Sequence, residues 1–207
     1  MGTALLVNVE AIPITVVGDP IFAGQLGGGF FTIADNSPAE ERVPNAIDGN
    51  IFTKYLNFGL ENTGYFVTPN LGSSIATGIN FNTANDEPGR DPSKYSLFGS
   101  NNAEPSSGEV IRYSMDDFSL ISSGNLSLSN VRRSSSSISF SNTLPFESYI
   151  LVFPSTKNSN TIMQIADAVL TGTQSVSAVP DTGSTLVLMA LSIASLGVIG
   201  MYRRSAA

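Results

Sequence analysis

Residues 44–55, Pro-Asn-Ala-Ile-Asp-Gly-Asn-Ile-Phe-Thr-Lys-Tyr, decide how the rest of the chain is interpreted. The stretch places the side-chain oxygens of Asp48, Asn50 and Thr53 around a central glycine. Taken alone, it predicts a turn in which Asp48 and Asn50 accept hydrogen bonds from their own backbone, as Asx side chains commonly do. Carboxylate, amide and hydroxyl oxygens are also ligands that suit calcium. The turn is therefore a candidate metal site if a further carboxylate lies nearby.

A candidate for that carboxylate lies near the end of the apolar part of the chain. Met163, Ile165, Asp167 and Val169 occupy alternate positions, so one strand would direct Asp167 to the same face as three apolar side chains. A buried ionised carboxylate costs free energy without a partner, and no Lys or Arg lies close to Asp167 in the sequence. A cation held jointly by the Asp48 turn and Asp167 would neutralise this carboxylate.

Two motifs carry a resemblance to a known family. NAIDGNIFTKYLNF (45–58) and MQIADAVLTG (163–172) resemble the discoidin-type galactose-binding fold of factor-type C domains and their bacterial carbohydrate-binding relatives. The resemblance implies an all-β, jelly-roll β-sandwich over residues 17–174, with Tyr55 at a core position where the family usually has Trp. It also implies a structural calcium ion, completed by backbone carbonyls, with side-chain ligands from Asp48, Asn50, Thr53 and Asp167.

Composition agrees with a β-rich domain and excludes several kinds of chemistry. Of the 207 residues, 42% are hydrophobic and 13% are charged, which suits one domain with many turns. The formal net charge of -7 disfavours nucleic acid as a partner. The sequence contains no His, Cys or Trp, so it lacks the residues of a Ser-His-Asp triad, a His or Cys zinc site and a disulfide framework. Family members that bind galactose-like sugars generally present His, Arg and an aromatic residue, so the ligand stays open.

Short apolar runs separated by turns predict the individual strands. Ile75, Thr77, Ile79 and Phe81 alternate with small or polar residues and predict one half-buried strand. The serine-rich stretch 134–141, in which Ile138 and Phe140 alternate with serine, predicts an exposed-face strand rather than a low-complexity segment. Residues 149–153 are apolar at every position, which indicates a central strand covered on both faces.

The most polar loop of the predicted sandwich, residues 85–92, supplies candidate ligand-binding groups. Arg90 with Asp86 or Asp91 would grip sugar hydroxyls through charge-assisted hydrogen bonds. The alternative is a solvated loop that carries a surface ion pair. Arg132 and Arg133 are interpreted as a solvated turn.

The C-terminal residues predict a membrane span. Residues 184–202 contain no charge and are long enough to cross a bilayer as a helix, whereas a buried helix of the domain is the alternative. Arg203 and Arg204 follow at once, so residues 203–207 would form a cytoplasmic tail with the domain outside.

A short motif stands before this span, in a linker over residues 175–183. It has the form VPDxGST, and with the apolar helix and the Arg pair it resembles the tails of the PEP-CTERM family (VPDSG-type). The resemblance implies recognition by an exosortase in the inner membrane, cleavage near the motif and release to the envelope. The motif residues are Val179, Pro180, Asp181, Gly183, Ser184 and Thr185. Residues 1–16 are interpreted as a lead-in that begins with the remnant of a signal peptide.

These observations predict an exported, non-catalytic protein of the cell envelope or extracellular matrix that binds polysaccharide through a calcium-stabilised sandwich. One alternative is a structural or adhesion protein in which the sandwich is a spacer without a small ligand. A second is a polysaccharide hydrolase whose acid and base come from Asp35, Glu40 and Glu41, or from Asp116 and Asp117. Asp116 and Asp117 would face opposite ways in an extended strand, which disfavours that pair.

Overall fold

The computed structural model describes residues 11–159 and 162–175, which form an all-β sandwich. The strands, in chain order, are β1 (Ile12–Pro13), β2 (Ile21–Gly27), β3 (Phe30–Ile33), β4 (Tyr55–Asn57), β5 (Thr63–Val67), β6 (Ser74–Asn82), β7 (Lys94–Ser100), β8 (Arg112–Ser114), β9 (Ser119–Asn125), β10 (Ser135–Ser139), β11 (Ser148–Phe153), β12 (Met163–Ile165) and β13 (Asp167–Gln174). Short 3-10 helices lie at Val43–Ile47, Pro88–Arg90 and Met115–Asp117. The β-sandwich predicted from sequence is confirmed.

Neighbouring strands pair antiparallel in three sheets. The larger sheet has the order β8-β3-β2-β5-β11-β7-β9, and the four-stranded sheet that faces it has the order β1-β13-β6-β10. The strands β12 and β4 form a separate pair. Strands distant in sequence are therefore adjacent in space, and each connecting loop must cross one end of the sandwich.

The strand β11 lies at the centre of the larger sheet, as the apolar run 149–153 predicts. It pairs with β5 on one side and β7 on the other, and each of its residues is buried. Tyr149, Leu151 and Phe153 belong to the main core. Ile150 and Val152 belong to a second apolar cluster on the opposite face. Tyr113 of β8 helps to cover that face by stacking on Phe66, with 4.4 Å between ring centroids.

The strand β6 departs from the predicted alternation. Ile79 and Phe81 are fully buried in the main core, but so is Ala76, whereas Ile75 and Thr77 are only half-buried. The register with β13 shifts at this point, since Thr171 pairs with Gly78 and Gly172 with Ala76. The unpaired Thr77 forms a bulge that moves the inward positions from even to odd numbers. The interpretation of Ile75 and Thr77 as members of the Ile79 face is therefore wrong.

The predicted strand through Asp167 is also interrupted. Met163 and Ile165 lie in β12 and pack in the main core, whereas the core side chains of β13 are Ala168 and Leu170. The side chains that face the core are therefore at odd-numbered positions in β12 and at even-numbered positions in β13, and the change occurs at Ala166. Asp167 is buried, as predicted, but it does not share the face of Met163 and Ile165. Its cover comes from the turn at positions 48 and 49.

Other predictions agree with the structure. The serine-rich stretch forms β10, which pairs with β6 and directs Ile138 against the core. Tyr55 is fully buried, and its hydroxyl donates a hydrogen bond to the Gly64 carbonyl over 3.0 Å. Among the described residues, no helix is long and apolar enough to cross a membrane. The predicted span 184–202, the sorting motif and the Arg pair lie outside the described residues.

Candidate functional site

The candidate site lies at one end of the sandwich, which we call the loop end. It comprises the turn 48–53 and the described parts of the loops 83–93, 126–134 and 154–162. Asn82, where β6 ends, pairs with Asp167, where β13 begins, and with Ser135, where β10 begins. The register of the four-stranded sheet therefore brings loops that are distant in sequence to the same end.

The turn 48–53 has the geometry that its sequence predicts. The backbone N–H of Asn50 donates to Asp48 Oδ1 over 2.8 Å, and that of Phe52 donates to Asn50 Oδ1 over 3.1 Å. The Thr53 hydroxyl donates to Asp48 Oδ2 over 2.7 Å. Gly49 has a φ of 69°, a conformation that residues with a Cβ rarely adopt. The turn thus collects the oxygens of Asp48, Asn50 and Thr53.

Asp167 lies directly beneath this turn. Only 1% of the residue is exposed; Gly49 N–H donates to Oδ1 over 2.9 Å and the Asn82 amide donates to Oδ2 over 3.1 Å. Burial raises the pKa of Asp167; its two hydrogen bonds oppose this effect, and the negative charge of Asp48 adds to it. Two carboxylates that repel each other here would gain from a shared cation.

The oxygen set suits a hard cation better than a transition metal. Within the described residues, no group of three or more His, Cys, Asp or Glu side chains is placed to hold a metal ion. A site built on Asp48 and Asp167 therefore needs neutral oxygens from Asn50, Thr53 and backbone carbonyls, which are ligands that calcium accepts.

Asp86 and Arg90 face solvent on the loop 83–93, and their ends lie 4.0 Å apart. Asp86 also accepts a hydrogen bond from Lys54 over 2.9 Å. Partial burial would raise the pKa of Asp86, but Lys54, Gln164 and Arg90 together lower it below its ordinary value. Lys54 is itself only 7% exposed and lies 3.4 Å from Glu41. This burial was not predicted; the available signal was the position of Lys54 next to Tyr55, a predicted core residue.

Asp91 has a different role from the one predicted. It is fully buried, and Arg132 binds it through two hydrogen bonds of 2.9 and 2.7 Å. Lys157 adds a third contact of 3.1 Å to the same carboxylate. This arrangement joins three loops, and we call it the Asp91 clamp. Asp91 is thus buried beneath the surface where it was expected to grip a ligand, and Arg132 is an internal partner rather than part of a solvated turn.

The surface above the Asp91 clamp is a shallow depression of about 340 Å³. Its lining includes Glu87, Gly89, Asn130 and Asn158. Glu87 has a φ of 25°, a strained value for a residue other than glycine. Strain held by surrounding structure is common where a loop presents groups to a ligand. Part of the lining, Glu87 and Gly89, belongs to the same loop as Arg90 and Asp86.

An exposed aromatic residue at the loop end was not predicted from the sequence. Phe52 is 71% exposed, and the guanidinium of Arg133 lies 5.0 Å from the centre of its ring. The available signal for this exposure was the position of a phenylalanine within an otherwise polar turn. Arg133 is exposed, as predicted for a turn, but it has an aromatic partner.

The carboxylates considered for hydrolysis occupy separate places. Asp35 lies 3.7 Å from Arg42, and Glu41 lies beside Lys54. Asp116 and Asp117 belong to the 3-10 helix Met115–Asp117, so the argument that they face opposite ways in an extended strand does not apply to them. Asp116 N–H donates to the Ser114 hydroxyl over 3.3 Å at the start of this helix.

Comparison with known proteins supports the fold. No protein-family model and no curated protein matches the chain. A family 32 carbohydrate-binding module of Clostridium perfringens, solved with GalNAc-β-1,3-galactose, is similar in structure: the TM-score is 0.54 at 17% identity, over 78% of this chain and 99% of that one. The family 32 module of C. perfringens NanJ, solved with galactose, has a TM-score of 0.51 at 15% identity, over 73% and 99% of the two chains.

A third similar structure is a fucose-binding module of Streptococcus pneumoniae, with a TM-score of 0.51 at 11% identity, over 82% of this chain and 99% of that one. The shared feature of these three modules is the discoidin-like galactose-binding fold. The described part of the chain therefore has the discoidin-like β-sandwich fold of family 32 carbohydrate-binding modules.

Proposed function

We propose that the sandwich is a non-catalytic glycan-binding module whose loop end contacts the sugar. The observation that carries this proposal is the pair of Asp86 and Arg90 on the loop 83–93, whose residues Glu87 and Gly89 also line a depression with Asn130. The three modules described above share the fold and were solved with, or are named for, GalNAc-β-1,3-galactose, galactose and fucose. Those names support a glycan as the class of ligand. The polar contacts of the loop 83–93 support this loop as the place where the glycan binds.

The chemistry of the loop suits a polyhydroxylated ligand. Asp86 accepts hydrogen bonds and Arg90 donates them, and the two groups lie close enough to engage neighbouring hydroxyls of one sugar. The Asp91 clamp orders the loop before binding, which lowers the conformational entropy lost on association. Because the chain contains no His, its sugar contacts differ from the His, Arg and aromatic set implied by the family resemblance.

A matched pair of substitutions tests the site. We expect Arg90→Ala in the full 207-residue chain to weaken binding to oligosaccharides containing galactose, GalNAc or fucose by about tenfold, the loss of one charge-assisted hydrogen bond or two. Arg112→Ala, which removes an exposed arginine of β8, serves as the control and should bind as the parent does. Equal binding by Arg90→Ala and the parent on a glycan array would contradict the loop-end site. Absence of any hit would favour the structural or adhesion alternative.

Calcium is the second part of the proposal. Asp48, Asn50, Thr53 and Asp167 would hold the ion together with backbone carbonyls. The support is the gathering of these oxygens at one turn and the mutual repulsion of the two carboxylates. Because Gly49 of the turn donates a hydrogen bond to Asp167 at the start of β13, a bound ion would stabilise the loop end rather than take part in chemistry. The affinity of the full chain for calcium, measured by titration calorimetry, tests this proposal.

Export and sorting complete the proposal. We expect the motif around Pro180 and Gly183 to be processed by an exosortase at the inner membrane, with the span 184–202 and the pair Arg203 and Arg204 removed afterwards. The mature protein would then reside in the envelope or outside the cell. Intact-mass measurement of the protein recovered from the envelope tests this step. A mature chain that still contains Arg204 would contradict it.

A further inference from the structure

The outward face of the four-stranded sheet is unusually rich in uncharged polar side chains. Two rows cross the strands: Ser135, Asn82 and Asp167 form the row nearest the loop end, and Ser137, Asn80 and Val169 form the next. Asparagine is depleted in strands because it packs poorly on a pleated surface. Two asparagines at alternate positions of β6 therefore incur a cost in strand stability.

These rows line two depressions that share Asn80 and Asn82, and we call the two together the groove. A depression of about 370 Å³ is bordered by Asn80, Asn82, Ser135 and Ser137. A second depression, of about 380 Å³, shares Asn80 and Asn82 and continues across Val169 to the exposed valine at position 17. The groove thus combines amide and hydroxyl groups on one side with apolar surface on the other.

Hydrogen bonds hold one row of the groove and leave the other available. The Ser135 hydroxyl donates to Asn82 Oδ1 over 2.5 Å, and the Asn82 amide donates to Asp167. Asn80 and Ser137, by contrast, are exposed, and their side chains make no hydrogen bond to any residue in the part of the chain that the structure describes. An exposed amide with two donors and an acceptor, fixed on a rigid strand, is ready to bind a ligand.

An aromatic ring stands where the groove meets the loop end. Arg133 lies two residues before Ser135, and its backbone N–H donates to the Thr83 carbonyl over 3.1 Å, beside the end of β6. Phe52 lies against this arginine and remains 71% exposed. Phe52 is one of several exposed apolar side chains, and its contact with Arg133 places it beside the end of β6. The ring and the guanidinium offer one apolar face and several hydrogen-bond donors.

From these observations we propose that the groove, with Phe52 at its mouth, binds a neutral polysaccharide chain laid along the four-stranded sheet. The Asn80 amide and the Ser137 hydroxyl would bond sugar hydroxyls, and Phe52 with the valines would contact the C–H faces of the rings. The groove lining is uncharged except for the buried Asp167 and the adjacent Asp48, and the chain carries a net charge of -7, so an acidic polysaccharide fits poorly. The groove is separate from the surface at Arg90, so the two proposals can fail independently.

The test measures how the affinity of the full 207-residue protein depends on the length of the oligosaccharide. Galactan, galactomannan and mixed-linkage glucan, and their oligosaccharides of increasing length, serve as probes in calorimetry and in native gels. We expect affinity to rise with length. Asn80→Val should weaken binding of the longer oligosaccharides about fivefold, since it removes one or two hydrogen bonds while keeping a residue that favours strands. Phe52→Ala should have an effect of similar size.

A control variant and three further measurements decide between the outcomes. Asn125→Ala, at an exposed asparagine on the edge strand β9 of the other sheet, is the matched control and should bind as the parent does. A loss in Asn80→Val with full binding of a monosaccharide supports the groove, and so does a shift of the Asn80 side-chain amide resonance on adding oligosaccharide. Unchanged length dependence in both Asn80→Val and Phe52→Ala would overturn the groove and leave the Arg90 surface untouched. Self-association of the parent that Asn80→Val abolishes would overturn it in favour of a second copy.

Discussion

Replacement of Asp91 by Asn should destabilise the protein more than any other single loss of charge at the loop end. The carboxylate is fully buried and receives hydrogen bonds of 2.9 and 2.7 Å from Arg132 and one of 3.1 Å from Lys157. Removing one partner of a buried ion pair costs about 3–5 kcal/mol. Arg132 and Lys157 keep 19% and 20% side-chain exposure and bonds to backbone carbonyls, so we expect the lower end, about 3 kcal/mol.

Thermal and denaturant unfolding measure this loss. For a domain of this size, about 3 kcal/mol corresponds to a fall in Tm of about 6–12 °C. A double-mutant cycle with Arg132→Gln should give a coupling energy of about 1 kcal/mol or more, because the second change removes the cation that the first leaves unpaired. Arg90→Ala is the control, and its exposed pair with Asp86 should contribute less than about 1 kcal/mol.

Two results would contradict the predicted contribution of the Asp91 clamp to stability. The first is an Asp91→Asn variant within about 0.5 kcal/mol of the parent, the range of ordinary surface substitutions. The second is a coupling energy near zero, which would show that Arg132 and Asp91 act independently. If the Asp91 clamp also orders the Arg90 loop for binding, Asp91→Asn should weaken glycan affinity at a temperature where the variant is still fully folded.

Three further predictions concern the candidate metal site, the core and pH. Calcium at a hundredfold excess over its Kd should stabilise the protein by about 2.7 kcal/mol, and both chelator and Asp167→Asn should abolish that gain in melting experiments. Gly64→Ala should prevent folding, because the new Cβ would lie 1.9 Å from the Leu151 carbonyl oxygen; recovery of folded protein at parental yield would contradict this. The lowered pKa of Asp86 means that its pairing with Lys54 stabilises the fold at neutral pH, and that this contribution is lost as the carboxyl protonates at acidic pH. The acid-induced loss of stability should therefore be smaller in Asp86→Asn.

Sequence patterns predicted the features that depend on short-range alternation. The run 149–153 gave a central strand because a strand covered on both faces needs apolar residues at each position. The alternation of serine with Ile138 and Phe140 predicted β10, because a strand with one exposed face alternates polar and apolar residues. The turn at Asp48 was predictable because its hydrogen bonds are local.

Features that depend on distant partners were not predictable in this way. Asp91 and Arg132 are 41 positions apart, and only the register of β6 with β10 brings their loops together. Asp167 was expected to be buried, but its cover comes from Gly49, 118 positions earlier. The change of inward positions at Ala166 and the bulge at Thr77 are local, yet they leave no mark on the hydrophobic pattern, because small side chains fit either face.

The bulge at Thr77 bears on how the length of the chain can vary. Ala76 lies in the core on one side of it, and Ile79 and Phe81 do so on the other. Deleting Thr77 would restore plain alternation with both sets still facing the core, so a relative without the bulge can be one residue shorter here. Relatives of this protein should therefore differ in length chiefly within the exposed loop 101–111, and within β6 by no more than this one residue. Insertion of a tag or a reporter peptide should be tolerated within 101–111 and not within β6, which pairs with strands on both sides.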